Sequence, residues 1–137
     1  MTIETAKRQF PSRIETIAGA TAAVIKEAES FGFSGEALDG IDMAVREAVT
    51  NAVLHGNKQD ATKTVNVIVE RNSDSFVVAV QDEGEGFNPS DVPDPTDEQN
   101  LLKASGRGML FMRAFMDEVE WTKHPAGGTI VRMTKRK

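Results

Sequence analysis

Residues 42–58, DMAVREAVTNAVLHGNK, carry two interleaved patterns. Leu38, Ile41, Val45, Ala48 and Ala52 recur at spacings of three and four, the signature of a helix that buries one stripe. Beside that stripe, Glu47, Asn51 and His55 follow one another at spacing four. Such a row lies along one helix edge, about 6 Å per step. His55-Gly56-Asn57 supplies the stop signal. A carboxylate and an amide one turn apart offer hard oxygen donors, which suit Mg²⁺ held by few protein ligands and by phosphates. The carboxylate is also placed to accept a hydroxyl proton or orient a water. A solvated polar edge with an Asn near the C-cap would give the same row, so the row alone does not define a site.

The neighbouring sequence sets this helix in a layered fold. On its N-terminal side, Ile14, Ile17, Thr21, Val24, Ile25, Ala28 and Phe31 predict an amphipathic helix over 14–31, ended by Gly32. Ser34 is a suitable N-cap for the next helix, with Phe33 and Leu38 at hydrophobic-staple positions. Residues 2–10 alternate weakly and predict a short edge strand. On the C-terminal side, Val65, Val67 and Val69 alternate, as do Phe76, Val78 and Val80, with Asp82 ending that second face. Asn72-Ser73-Asp74 reads as the turn between these strands. Residues 88–105 hold Pro89, Pro93 and Pro95 and read as a long irregular loop. Met109, Leu110, Met112, Phe115 and Met116 predict a third helix, with core the expected place of Met112, Phe115 and Trp121. Val119, Trp121 and Ile130 to Met133, around Pro125-Ala126-Gly127-Gly128, predict a closing hairpin. The order β-α-α-β-β-loop-α-β-β is that of an α+β, two-layer α/β sandwich with a mostly antiparallel sheet and helices on one face. We expect one domain over 1–137.

Composition narrows the function. The 137 residues carry 16 Lys+Arg and 21 Asp+Glu, a net charge of −5. That argues against direct nucleic-acid binding or an anionic membrane surface as the working partner. Absence of cysteine excludes disulfides, cysteine-ligated zinc and thiol nucleophiles, and two histidines make a His-rich metal site a poor expectation. No apolar run is long enough to span a bilayer, and residues 1–10 lack a signal-peptide core. A cytoplasmic protein is expected. The charge is uneven: residues 82–98 hold seven acids and no base, whereas the other residues hold 14 acids and 16 bases.

Three further constellations bear on chemistry. Asp82-Glu83-Gly84-Glu85-Gly86-Phe87 sets a carboxylate at a strand end before Gly-x-Gly, where a ligand can approach the backbone and an exocyclic amine can donate to the acid. Gly106-Arg107-Gly108 opens the third helix, where free backbone N–H groups and a cation suit phosphate. Gly127-Gly128-Thr129 begins the last strand with a hydroxyl able to hydrogen-bond a purine. Each alone is weak. Neither GxGxxG after a first strand nor GxxxxGK[ST] occurs, so dinucleotide-fold and P-loop readings fail.

In this order the constellations resemble the N, G1, G2 and G3 boxes of the GHKL ATPases, and most nearly the RsbW-type anti-sigma-factor serine/threonine kinases. The supporting stretches are DMAVREAVTNAVLHGNK (42–58), DEGEGF (82–87) and GRGMLFMRAFMDEVEW (106–121). The resemblance spans about residues 10–134 and implies a Bergerat ATP-binding fold. It makes Glu47 the catalytic base and Asn51 the Mg²⁺ ligand, with His55 lining the pocket. Asp82 would accept the adenine amine, with Thr129 assisting. Gly84 and Gly86 would pass beneath the nucleotide, with Phe87 also a binding residue; 88–105 would form the ATP lid, and Gly106, Arg107, Gly108 and Met109 would cradle the phosphates. The acids of 82–98 other than Asp82 are expected to face solvent when the lid is open; the sharper expectation is that so acidic a lid closes over ATP only with Mg²⁺ and Arg107 in place. The implied partners are a STAS-domain antagonist, whose serine is phosphorylated, and a sigma factor, with a homodimer as the assembly. The alternative is a nucleotide-sensing binding switch without catalysis. A histidine-kinase catalytic domain fits less well, because neither His55 nor His124 lies in a helical phospho-acceptor context.

Overall fold

The computed structural model describes residues 4–57, 60, 62–83, 112–123 and 128–137; of residues 55 and 56 only the backbone is described. The elements are β1 (Glu4–Pro11), α1 (Thr16–Phe31), α2 (Gly35–Asn51), a π-helical turn (Ala52–Gly56), β2 (Thr64–Arg71), β3 (Ser75–Gln81), β4 (Glu118–Lys123) and β5 (Thr129–Arg136). Residues 112–115 add a short helical turn before β4. The sheet runs β1-β2-β3-β5-β4, every neighbouring pair antiparallel. This is the expected α+β sandwich. The loop expected at 88–105 lies outside the described residues.

Register builds the core. Val69, Val78, Met133 and Val119 form one inward rung, and Val67, Val80, Val131 and Trp121 the next. Against these rungs pack Ala20, Val24 and Ala28 of α1, and Ile41, Ala44, Val45, Ala48 and Val49 of α2. Alternation alone does not describe β3. Val77 and Ala79, on its other face, are also buried, because β3 is the central strand and its neighbours' side chains cover it. The edge strand β1 carries charge instead. Its Arg8 and Glu4 join Arg71 and Glu27 in a chain of ion pairs that ties the edge to α1. Charged edges also discourage pairing with other chains.

Two helix boundaries were legible and one was not. Gly32 ends α1 at φ 119°, its N–H donating to the carbonyls of Ala28 and Glu29, a left-handed cap open to glycine. Ser34 is the extended N-cap residue of α2, although its side chain makes no capping hydrogen bond. Ile14, however, is 55% exposed and precedes the helix. The chain turns at Pro11–Glu15 instead, where the Thr16 hydroxyl donates to the carbonyls of Pro11 and Arg13.

Phe31, Phe33 and Phe76 cluster at one end of the layers, with ring centroids 5.5–6.0 Å apart. From there α2 and β3 run to the opposite end. Gly40 lets the segment after residue 111 close on α2: a Cβ there would come within 2.8–3.0 Å of the Phe115 side chain. Gly40→Ala is therefore expected to destabilise the fold by about 1–2 kcal/mol, overpacking outweighing the helix propensity of alanine. Urea denaturation checks this, and a variant more stable than the wild type would show that Phe115 yields freely.

Candidate active site

At the end away from the aromatic cluster, Asn51, Asp82 and Thr129 meet around one pocket, with Ala48, Ala52, Val80, Met112, Trp121 and Val131 as apolar lining. Three elements converge there because α2, β3 and β5 all present their inward faces. Asp82 continues the Phe76-Val78-Val80 alternation by one step, and Thr129 begins the Thr129-Val131-Met133 alternation. Arg113 lies over the Trp121 ring at 5.4 Å, holding the helical turn at 112–115 to β4.

The acid is held rigidly. Asp82 is 2% exposed and Thr129 is 3% exposed. The Asp82 N–H donates to the Thr129 carbonyl at 3.1 Å, and the Thr129 N–H donates to Asp82 Oδ1 at 3.2 Å. A buried carboxylate needs such donors to exist at all. Gly128 makes the approach possible. It sits at φ 91°, and a Cβ on it would overlap the Asp82 carbonyl oxygen.

Glu47 lies one turn before Asn51 on α2, outside the described lining of the pocket. Burial pushes its carboxyl above the usual value of 4.5. Asn57, expected from the sequence only as part of a helix stop signal, lies next to Asp82's neighbour Glu83 without lining the pocket. It is 1% exposed. Its Nδ2 donates to the Thr64 carbonyl at 3.0 Å, and its Oδ1 accepts the Glu83 N–H at 2.8 Å. Glu83 in turn accepts the Thr64 N–H at 2.9 Å, the main reason its carboxyl lies below 4.5. Of the residues expected at the site, Gly84, Gly86, Phe87, Gly106, Arg107, Gly108 and Met109 fall outside the described residues, as does the His55 side chain.

The donor set fits the implied nucleotide and metal. A buried acid among apolar walls suits the amine edge of a purine. Glu47 and Asn51 suit Mg²⁺ shared with phosphates. Among the described residues no group of three His, Asp or Glu could hold a metal alone. In such a site Asn51 would be one ligand among phosphate oxygens and waters.

The order of motifs and the pocket define a nucleotide-binding domain of the two-layer ATPase type. The family model described as "Histidine kinase-like ATPase domain" matches residues 10–135, and the chain belongs to that family. Among curated proteins it is similar to the "Anti-sigma F factor" of Bacillus thuringiensis (strain Al Hakam) and of Bacillus mycoides (strain KBAB4). Each is 36% identical over 102 residues, covering 73% of this chain and 70% of the relative. Among solved structures it resembles the RsbU and RsbW domains of Rv1364c from Mycobacterium tuberculosis, with a TM-score of 0.69 at 20% identity. That match covers 97% of this chain, which spans about a third (32%) of the other. At that identity the likeness speaks for the fold.

Two outcomes test the site's construction. Gly128→Ala should cost about 2 kcal/mol or more, since a left-handed alanine alone costs roughly 1–2 kcal/mol; chemical denaturation measures it, and a neutral result would mean that Asp82 can move. Glu83 contributes stability above its unfolded value of 4.5, lost as pH falls through its lower folded value. Glu83→Gln should thus differ from the wild type above that value and converge with it in stronger acid, read as melting temperature against pH.

Proposed function

We propose that this chain is an ATP-dependent serine/threonine protein kinase that acts as an anti-sigma regulatory factor. In this reading it phosphorylates a STAS-domain antagonist and sequesters a sigma factor, in a partner switch biased by nucleotide. The observation that carries the reading is the meeting of Asn51 with the buried Asp82–Thr129 pair in one pocket, with Glu47 one turn away. Family membership supports the ATP-using part, and the similarity to anti-sigma F factors supports the sigma-factor part.

The chemistry follows from the residues. Asp82 accepts the amine of adenine and so orients the nucleotide, while Thr129 holds Asp82 in place. Asn51 would supply an oxygen ligand to Mg²⁺, which would neutralise phosphate charge when bound. Gly106, Arg107, Gly108 and Met109, matched by motif alone, would supply the phosphate cradle. The hydroxyl oxygen of the substrate serine attacks the γ-phosphorus, its proton passes to the Glu47 carboxylate, and the bond to the ADP oxygen breaks. Phosphoryl transfer asks chiefly for positioning and neutralisation. Desolvation makes Glu47 a stronger base than an exposed glutamate, at the cost of requiring a higher pH to ionise.

The test is transfer of labelled phosphate from ATP-Mg²⁺ to a STAS-domain antagonist serine. Glu47→Gln should lower the transfer rate by roughly 10²-fold or more, the usual scale of a general base, with ATP affinity changed less than threefold. The wild-type rate should fall on the acid side with a midpoint above 4.5, the ordinary glutamate value. Undiminished transfer by the variant would remove Glu47 from the mechanism. Nucleotide-dependent partner binding with no transfer would instead leave a non-catalytic switch.

A further inference from the structure

The β2–β3 ladder ends one step early, and the place where it ends is occupied by a side chain. Its last pair is Asn66 with Gln81. Two residues further along each strand, the same register would set Thr64 opposite Glu83. Their facing groups do not bond to one another. The Asn57 amide stands between them, donating to the Thr64 carbonyl and accepting the Glu83 N–H. The Thr64 N–H is taken by the Glu83 side chain instead. The strands are thus held apart by one amide group with both hydrogen bonds made.

The same residue anchors the end of α2. Its backbone N–H donates to the Ala52 carbonyl at 2.8 Å, five residues back, which closes the π-helical turn that follows Asn51. A buried amide, bonded at both its nitrogen and its oxygen, therefore joins the helix end that carries Asn51 to the strand end that carries Asp82.

We propose that Asn57 is a positioning residue of the nucleotide site. It sets the separation between Asn51 and Asp82, and the direction of the chain at Glu83, where it leaves β3. It touches no nucleotide. It acts by replacing a β-rung that would otherwise draw Glu83 back onto β2 and turn Asp82 away from Thr129. This inference rests on the nucleotide-site reading given under Proposed function.

The test uses the full chain, calorimetric titration with ATP-Mg²⁺ and GTP-Mg²⁺, and amide hydrogen exchange. Asn57→Leu keeps the size of the side chain and removes both hydrogen bonds. It is expected to weaken ATP binding at least tenfold per folded molecule, to reduce the preference for ATP over GTP, and to speed exchange at the Glu83 amide. Asn57→Asp, which retains the acceptor for that amide, should fall between Leu and the wild type, and it serves if the Leu variant does not fold. Val24→Ala, a core change in α1, controls for lost stability: it should lower the melting temperature yet leave ATP affinity and the base preference unchanged. ATP affinity in the Asn57 variants equal to that of the wild type, or losses matched by Val24→Ala, would overturn the positioning role. A wild type that binds ATP no better than GTP would overturn the adenine reading of the pocket, and this inference with it.

Discussion

Everything at the working end of this domain depends on a carboxylate kept buried where two strands part. Thr129 meets the dry Asp82 with both backbone groups, its carbonyl accepting the Asp82 N–H and its own N–H donating to Oδ1. Thr129 can come that close only because Gly128 has no Cβ and takes a left-handed conformation. The acid, the threonine and the glycine therefore form one unit spread over 47 positions of sequence. Without it an acid at this position would move toward water, since an unpaired buried polar group costs several kcal/mol.

The length match between α2 and β3 carries that unit to its neighbours. The 17 residues of α2 extend roughly 25 Å, and the 7 residues of β3 roughly 23 Å. Both begin beside the phenylalanine cluster and both end at the pocket. One end of the sandwich is closed by aromatic packing, which leaves the other to gather polar groups. Asn51 and Asp82 are brought together by two elements of equal reach, and the Asn57 amide joins their ends.

The two glutamates at that end shift in opposite directions, one through burial and the other through a hydrogen bond. Glu47 is made harder to ionise by loss of water. Glu83 is made easier to ionise by the Thr64 N–H that it accepts. Both shifts arise from ordinary effects of burial and hydrogen bonding. The aliphatic rungs beneath supply the rigidity: Val67, Val78 and Val80 are essentially inaccessible, so the groups above them stand on a surface that does not yield.

Much of this was legible in the chain. The 3,4 spacing of Ile41, Val45 and Ala48 gave α2, though not its passage into a π-helical turn at Ala52, and the alternation of Val65 to Val69 and of Phe76 to Val80 gave β2 and β3, because periodicity records which face meets the core. Gly32 and Ser34 marked helix ends through local backbone chemistry, which needs no partner. Ile14 misled, since its apolar spacing could not reveal the turn fixed by Thr16. Burial of Val77 and Ala79 on the second face of β3 was equally hidden, because it comes from the central place of the strand in the order β1-β2-β3-β5-β4. The sequence by itself determined the elements, the fold class, and the residue types from which a nucleotide site is made. Only the tertiary structure decided that Thr129 and Gly128 clamp Asp82, and that Asn57 is an inserted rung and not a mere stop signal. Those roles are hydrogen bonds between residues 7, 26 and 47 positions apart, and no local pattern specifies a partner at such a distance.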